Sequence, residues 1–311
     1  MVVAQLMTDS SGKGRVMRVL VLGANGFVGR HLTNTLRKAG YRVAGGLRKP
    51  KQSEDIQIDY CKDNTKEVWL PRLANVDAVI NAVGVLRDNI NQPMKQILEQ
   101  TPLALFSACQ ERGIKRIVQI SALGIDKGIE TPYFQTRRAP EAYLAGLPEP
   151  GRWLILRPSI IYGKDGASAR LFKTQAVLPV HTLPDGGRQR LQPVHIDDIC
   201  TAVIHWLVDP GAQNQIIDAV GLEATDLRGM LDSYRHQQGK SKALHVTIPS
   251  WLVGLFAQVG DLIPSSPLCS DTLTMLNAGN TGDASAFMKL LGRTPRSYRQ
   301  FIGQGRDYES P

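Results

Sequence analysis

The sequence predicts an α/β chain: a doubly wound parallel sheet with a smaller, mainly helical C-terminal lobe. Three observations predict it. Met17–Leu32, MRVLVLGANGFVGRHL, passes from an apolar run at 18–22 through Gly23, Gly26 and Gly29 into a helical stretch. That is the order of a buried strand, a glycine turn and a helix. Further apolar, β-branched runs follow and alternate with helical stretches, a pattern that builds a parallel sheet with helices on both faces. The chain has 311 residues, 42% of them hydrophobic, enough for one large domain with an added lobe.

The first unit is a phosphate-binding device. Glycines in the turn let the backbone approach a pyrophosphate, and the helix that runs from Phe27 to about Lys38 offers free N–H groups at a positive dipole end. A tight turn in some other α/β protein is the plainer alternative. Tyr41–Leu47 is the expected second strand, and Arg48-Lys49-Pro50-Lys51 follows it. In dinucleotide folds this strand end meets the adenine ribose, where a carboxylate grips a 2′-hydroxyl and a basic residue accommodates a 2′-phosphate. No carboxylate occurs here before Glu54, and Arg48 lies 19 positions after Gly29. Arg48 and Lys49 therefore favour NADP(H) over NAD(H); a solvated basic loop is the alternative.

Ile56–Tyr60 is a candidate third strand with Asp59 at its end. Val76–Val83 is the fourth, and its small-residue turn at 81–85 permits close approach to a cofactor. Met94–Gly113 reads as a helix ended by glycine. Arg116–Ser121 is the fifth strand and brings Ser121 to the end where parallel sheets bind ligands. Trp153–Leu156 adds a strand before Arg157–Gly163. Residues 164–191 read as a loop-rich excursion with little periodicity. Asp197 or Asp198 is the expected N-cap or first residue of an apolar helix over Ile199–Val208. Gln215–Val220 is a final strand, and from Thr225 the chain looks helical. The expected domains are 17–163 with 192–220, and 164–191 with 221–311.

Composition bounds the rest. No apolar run is long enough to span a membrane. Residues 1–16 lack a signal peptide's apolar stretch and read as a flexible leader. Cys61, Cys109, Cys200 and Cys269 are far apart, with no histidine at metal-ligand spacing, so reduced thiols, a cytoplasmic location and no metal site are expected. The net charge of +9 comes from scattered lysines and arginines. It suits a phosphorylated cofactor and a basic surface rather than nucleic acid.

Several motifs then converge. GANGFVG at 23–29, NAVG at 81–84, ISALG at 120–124, Tyr133 with Arg137, LRPSIIYG at 156–163 and PVHIDDI at 193–199 occur in the order found in the short-chain dehydrogenase/reductase superfamily. The glycine spacing resembles its extended and atypical branches, the epimerase/dehydratase-like ones. The tail at 277–297 resembles the subgroup that holds the dehydrogenase-like accessory subunit of respiratory complex I. The resemblance implies a Rossmann fold in which Gly23, Asn25, Gly26, Phe27, Val28 and Gly29 wrap the pyrophosphate. It places Arg48 and Lys49 at the 2′-phosphate, Asp59 and Tyr60 near the adenine, and Ala82, Val83 and Gly84 along the cofactor's middle. Pro158, Ser159 and Ile160 lie near the nicotinamide.

In catalytic members of that superfamily a tyrosine moves the substrate proton, and a lysine four residues later holds the nicotinamide ribose and favours the phenolate. Here Tyr133 is present, Arg137 replaces the lysine, and Leu123 rather than Ser121 aligns with the usual hydroxyl residue. An arginine fork is not equivalent to an ammonium. Pro140 is expected to kink the following helix or to mark a late start. Two functions follow as expectations. One is an NADP(H)-dependent oxidoreductase or epimerase-like enzyme that acts on a carbonyl or hydroxyl substrate through Tyr133, Arg137 and Ser121. The other is an inactive NADPH-binding assembly or sensor protein linked to a respiratory or quinone-related complex. His195 reads as a structural histidine or an acid–base group, and Tyr162 as core or substrate-facing. Trp251, Leu252, Leu255, Phe256, Val259 and Leu262 form a helical apolar stripe, suited to packing on the lobe or to a protein partner or membrane surface.

Overall fold

Seven strands build the central sheet: β1 (Arg18–Leu22), β2 (Arg42–Leu47), β3 (Ile56–Gln57), β4 (Ala78–Asn81), β5 (Arg116–Ile120), β6 (Arg152–Pro158) and β7 (Gln215–Ala219). The computed structural model describes residues 6–8, 14–88, 91–148, 151–263, 266 and 268–302. The sheet order is β7-β6-β5-β4-β1-β2-β3. The strands from β3 to β6 pair in parallel, with Arg18 opposite Arg42, Val19 opposite Ala78 and Ala78 opposite Arg116. β1, β4 and β5 are almost wholly buried. Strands covered on both faces read as near-continuous apolar runs, which is why RVLVL, AVIN and RIVQI lack polar alternation.

The chain leaves β1 toward β2 and β3, then returns to lay β4 on the other side of β1. The strand order reverses at the β1–β4 crevice, and in open α/β sheets ligands bind at such a point. Helices α1 (Phe27–Lys38), α2 (Thr101–Glu111) and α3 (Pro132–Ala145) accompany these strands. Leu20, Val79, Phe106, Ile117, Leu144 and Ile155 belong to one buried cluster.

Two compact units divide the chain: Met1–Arg157 with Cys200–Ile217, and Pro158–Ile199 with Asp218–Pro311. The first break comes earlier than the expected 163, and residues 192–199 go with the second unit. In that unit Ala167–Val177 is a helix and Val180–Pro184 a strand paired in parallel with Leu244–Ile248. Residues 164–191 are therefore not a loop-rich excursion, and the segment after Thr225 is not purely helical. The cause is local. Helix 167–177 turns Ala169, Phe172 and Ala176 to the core of this unit, while Leu171 and Val177 stand exposed, so its inward stripe is mostly alanine and weakly marked in the sequence.

Other differences are smaller. Leu6–Thr8 and Gly14–Val16 form an antiparallel pair within the stretch expected to be an unstructured leader. The helix expected from Ile199 begins at Ile196, so Asp197 and Asp198 sit in its first turn rather than at its cap. Gln96–Gln100 is a π-helical segment before α2. Pro102 has no N–H to donate to Leu98 and its ring crowds that carbonyl, which favours the wider turn. Helix α3 starts at Pro132 and continues through Pro140, so Pro140 marks no late start.

Candidate functional site at the strand-order reversal

The glycine turn lies in the β1–β4 crevice, and each glycine has a steric reason. Gly23 has φ +75°, and a Cβ there would lie 3.0 Å from the Ala82 carbonyl oxygen. A Cβ on Gly29 would lie 2.1 Å from the Gly23 oxygen, a distance no side chain tolerates. The Gly26 N–H donates to the Gly23 oxygen at 2.8 Å and the Arg30 N–H to the Gly26 oxygen at 3.0 Å. Helical bonding thus begins at Arg30. Among the described residues the N–H groups of Phe27, Val28 and Gly29 have no acceptor, and the first turn of α1 holds no acidic residue. Three unpaired donors at a positive dipole end, over a turn without side chains, fit a pyrophosphate. Asn25 and Gly26 are exposed above it.

Arg48 and Lys49 follow β2 and are exposed; among the described residues neither forms an ion pair or a side-chain hydrogen bond. Asp55, which the sequence did not single out, holds their loop. Its carboxylate accepts the Gly45 N–H at 3.1 Å, the Lys51 N–H at 2.9 Å and the Gln52 N–H at 3.0 Å. The Asp55 carboxylate is therefore occupied by backbone, and the two cations are available to an anion. Burial and Asp59 push the Cys61 thiol up, and Arg48 pulls it partly back down.

Asp59 is half-buried and accepts the Cys61 N–H at 3.1 Å. Tyr60, expected near the adenine, is a core residue. Its ring packs edge-on against Trp69 at 5.9 Å, and its hydroxyl donates to Asn81 Oδ1 at 2.9 Å. Burial pushes the Tyr60 phenol well up. Asn81 in turn donates to Gln119 Oε1 at 2.8 Å and accepts the Val83 N–H at 3.2 Å. This buried Tyr60–Asn81–Gln119 chain ties β4 to β5 and shapes the turn that carries Ala82, Val83 and Gly84. Each link satisfies a group that would otherwise be buried and unpaired.

Tyr133 and Arg137 stand one turn apart on α3. The Arg137 guanidinium carbon lies 4.4 Å from the Tyr133 ring centroid, and a Cβ on Gly84 would lie 3.5 Å from Arg137 Nη2. Arg137 is only 4% exposed, and its Nε is buried without a hydrogen-bond partner. Ser121 is also buried; its N–H donates to the Leu156 oxygen at 2.7 Å, while its Oγ has no partner. Leu123 is core. A buried guanidinium with unused donors and an orphaned hydroxyl are costly unless something accepts from them. Together with the glycine turn, they fit a bound dinucleotide.

Pro158, Ser159 and Ile160 open the second unit. There the Ser159 hydroxyl donates to the Gln192 oxygen and the Ile160 N–H to Asn280 Oδ1 at 2.8 Å. His195 Nδ1 accepts the Asp197 N–H at 3.2 Å, and its ring packs against Phe301. Tyr162 is buried, stacked on Phe301 at 4.7 Å, and burial pushes its phenol up. Asp198, wholly buried, accepts from Arg293 at 2.6 Å and from the Arg296 N–H at 2.8 Å. The apolar stripe lies on the helix Ser250–Asp261. That helix buries Val253, Ala257 and Gly260 and leaves Trp251 73% and Phe256 54% exposed. Among the described residues no helix is long and apolar enough to cross a membrane. Against the expectation of no metal site, His181, Asp232 and His245 bring their ligand atoms within 4.8 Å of one another. Sequence spacing gives no sign of this, because the register of two distant strands joins them.

Comparison with known proteins agrees with this geometry. A model of the NAD dependent epimerase/dehydratase family matches residues 19–219. Subunit 9 of the NADH dehydrogenase (ubiquinone) 1 alpha subcomplex, mitochondrial, of Arabidopsis thaliana is 28% identical over 212 residues. The match covers 62% of this chain but only 50% of that relative. A ceramide reductase of Caulobacter vibrioides is 26% identical over 213 residues, 66% of this chain and 64% of the relative. The crystal structure of UDP-glucuronic acid 4-epimerase from Bacillus cereus, with UDP-glucuronic acid and NAD, has the same fold. Its TM-score is 0.66 at 20% identity, covering 91% of this chain and 96% of that one. From β1 to the end of β7, the chain belongs to the NAD-dependent epimerase/dehydratase family.

Proposed function

We propose that the protein binds NADP(H) at the β1–β4 crevice and is an oxidoreductase or epimerase-like enzyme acting on a carbonyl or hydroxyl substrate. The observation that carries this reading is Arg137: a buried guanidinium with an unpartnered Nε, laid over Tyr133 beside the Gly84 turn. A nicotinamide dinucleotide, when bound, supplies or accepts a hydride, and the protein's task is to hold and orient it. The N–H groups of Phe27, Val28 and Gly29 bind the pyrophosphate, and Arg48 and Lys49 bind a 2′-phosphate. Arg137 donates to the cofactor's ribose hydroxyls and holds the Tyr133 ring, whose hydroxyl moves the substrate proton. The Ser121 hydroxyl is a second donor.

The test is a thermal-shift titration of the full chain with NADPH, NADP, NADH and NAD, followed by NADPH oxidation over a panel of carbonyl compounds. NADPH should give the largest shift by mass action. Tyr133→Phe should abolish turnover and leave NADPH affinity within about twofold, because the ring face that meets Arg137 is retained. Equal shifts with NADH and NADPH remove the 2′-phosphate assignment. Full turnover in Tyr133→Phe removes the proton role.

A second reading is favoured by the exposed apolar face of the helix Ser250–Asp261. A protein that keeps NADPH as a structural ligand and presents this face to a protein partner or membrane surface would bind the nucleotide tightly and turn nothing over. The mitochondrial relative gives that reading its context. Tight NADPH binding with no turnover over the panel would decide for it. Trp251→Lys with Phe256→Lys would then break the association while shifting stability by no more than about 0.5 kcal/mol, as exposed sites do.

A further inference from the structure

We propose that His181, Asp232 and His245 form a binding site for a first-row divalent transition-metal ion of the zinc type, within the second unit. Strand Val180–Pro184 runs parallel to Leu244–Ile248, with His181 directly opposite His245. Residues paired this way point to the same face of a ladder, and the two ring centroids are 5.6 Å apart. Asp232 comes from the helix Leu227–Gln237. Its Oδ1 lies 2.8 Å from His245 Nε2 and 3.6 Å from His181 Nδ1.

His181 is the residue whose surroundings call for a cation. It is 2% exposed, and its Nε2 lies 3.4 Å from the Ala176 carbonyl oxygen. A carbonyl only accepts, so Nε2 carries the hydrogen and Nδ1 of the neutral ring is a bare lone pair. That lone pair is buried without a hydrogen-bond partner and faces a carboxylate oxygen. With the hydrogen on Nε2, Nδ1 stands 3.6 Å from the carboxylate oxygen, beyond hydrogen-bond length. Two acceptors face one another, and a cation between them resolves the repulsion. Holding a ligand imidazole by its other N–H on a backbone carbonyl is the usual support of a metal-bound histidine.

The donor set chooses the ion. Two imidazole nitrogens and one carboxylate suit zinc, cobalt or nickel, whereas magnesium and calcium take oxygen ligands. Zinc–ligand bonds of about 2.0–2.1 Å set the edge of a tetrahedral site at roughly 3.3 Å. The 3.6 Å contact is close to that, and the 2.8 Å contact opens once its hydrogen bond is replaced. Asp232 and His245 are 40% and 19% exposed, which leaves a wet side for entry and for a fourth, water ligand. Two arginines stand nearby. Arg228 Nε is 4.0 Å from the other carboxylate oxygen. Arg235 is occupied, with Nη1 donating to the carbonyls of Ala176, Val177 and Leu178 and Nε to that of Ser241. The ion would clip one helix to two strands.

The experiment uses the full chain, chelator-treated and dialysed against Zn2+, and separately against Co2+. One equivalent of zinc is expected, with a raised melting temperature and a cobalt spectrum without thiolate bands. His245→Gln and Asp232→Asn change partly exposed side chains and should fold. Each should weaken zinc binding by more than the roughly 10–100-fold typical of supporting residues, with NADPH binding unchanged. Cys61→Ser should bind as the parent does. Absence of zinc binding in the parent overturns the proposal. So does undiminished binding in the double variant, or loss of binding in Cys61→Ser alone.

Discussion

Replacing Arg137 with methionine should leave the ligand-free protein as stable as before, or slightly more stable, while it weakens dinucleotide binding. Truncating a buried side chain usually costs about 2–5 kcal/mol through the cavity left behind. Methionine keeps the aliphatic stem and most of the volume, so that cost is small. What is lost is the cation over Tyr133 at 4.4 Å, worth about 0.5–2 kcal/mol. What is relieved is the buried, unpartnered Nε, a penalty of about 1–3 kcal/mol. The balance spans a loss of about 1 to a gain of about 2.5 kcal/mol and centres on a gain of roughly 1 kcal/mol, or roughly 2–4 °C in Tm for a unit of this size. With cofactor present the sign reverses. Donors that had found acceptors on the ribose are gone, and charge-assisted hydrogen bonds of about 1.5–3 kcal/mol correspond to a 10- to 150-fold rise in Kd. The assay is calorimetric unfolding with and without saturating NADPH, together with isothermal titration. A ligand-free variant destabilised by more than about 1 kcal/mol, with unchanged NADPH affinity, would refute the assignment and make Arg137 a structural residue.

Gly29→Ala places a Cβ 2.1 Å from the Gly23 oxygen. It should cost at least about 1–3 kcal/mol as overpacking and remove every nucleotide-induced thermal shift. Arg48→Ala should weaken NADPH roughly 10- to 100-fold, the worth of a charge-assisted contact, and leave NADH unchanged when both are titrated calorimetrically. Arg293→Ala with Arg296→Ala strips the cations from the wholly buried Asp198 and should cost about 3–5 kcal/mol in denaturant unfolding. Adding Asp198→Asn to that pair should recover part of the loss, because the uncompensated charge goes with it.

The half of the site that lies in one stretch of chain was legible in the sequence. Gly23, Gly26 and Gly29 announce themselves because each needs a bare backbone within six residues of the others. Arg48 and Lys49 are legible because they end a strand at a fixed distance beyond. The core role of Tyr60 is not legible, because nothing local says that its hydroxyl finds Asn81 across two strands. Asp55 was passed over for a related reason: its partners are backbone N–H groups, which leave no mark on composition. His181 and His245 lie 64 positions apart and meet only through the register of a parallel pair. Helix 167–177 is hard to read because two of its inward residues are alanines beside Phe172, while Leu171 and Val177 point outward, which blurs the stripe by which amphipathic helices are found.

The Asp198 carboxylate also has a temporal consequence. It sits in the first turn of its helix, yet its partners lie about a hundred residues later, at Arg293 and Arg296. During synthesis the strands and helices around residues 158–199 emerge well before those arginines. Until then a carboxylate destined for full burial has only water to satisfy it, and packing it away is unfavourable. The second unit therefore closes late, when its last described helix and the GRTPRS segment leave the ribosome. A chain stopped before Arg293 should hold that region open to proteases, whereas the central sheet awaits only residues up to 219.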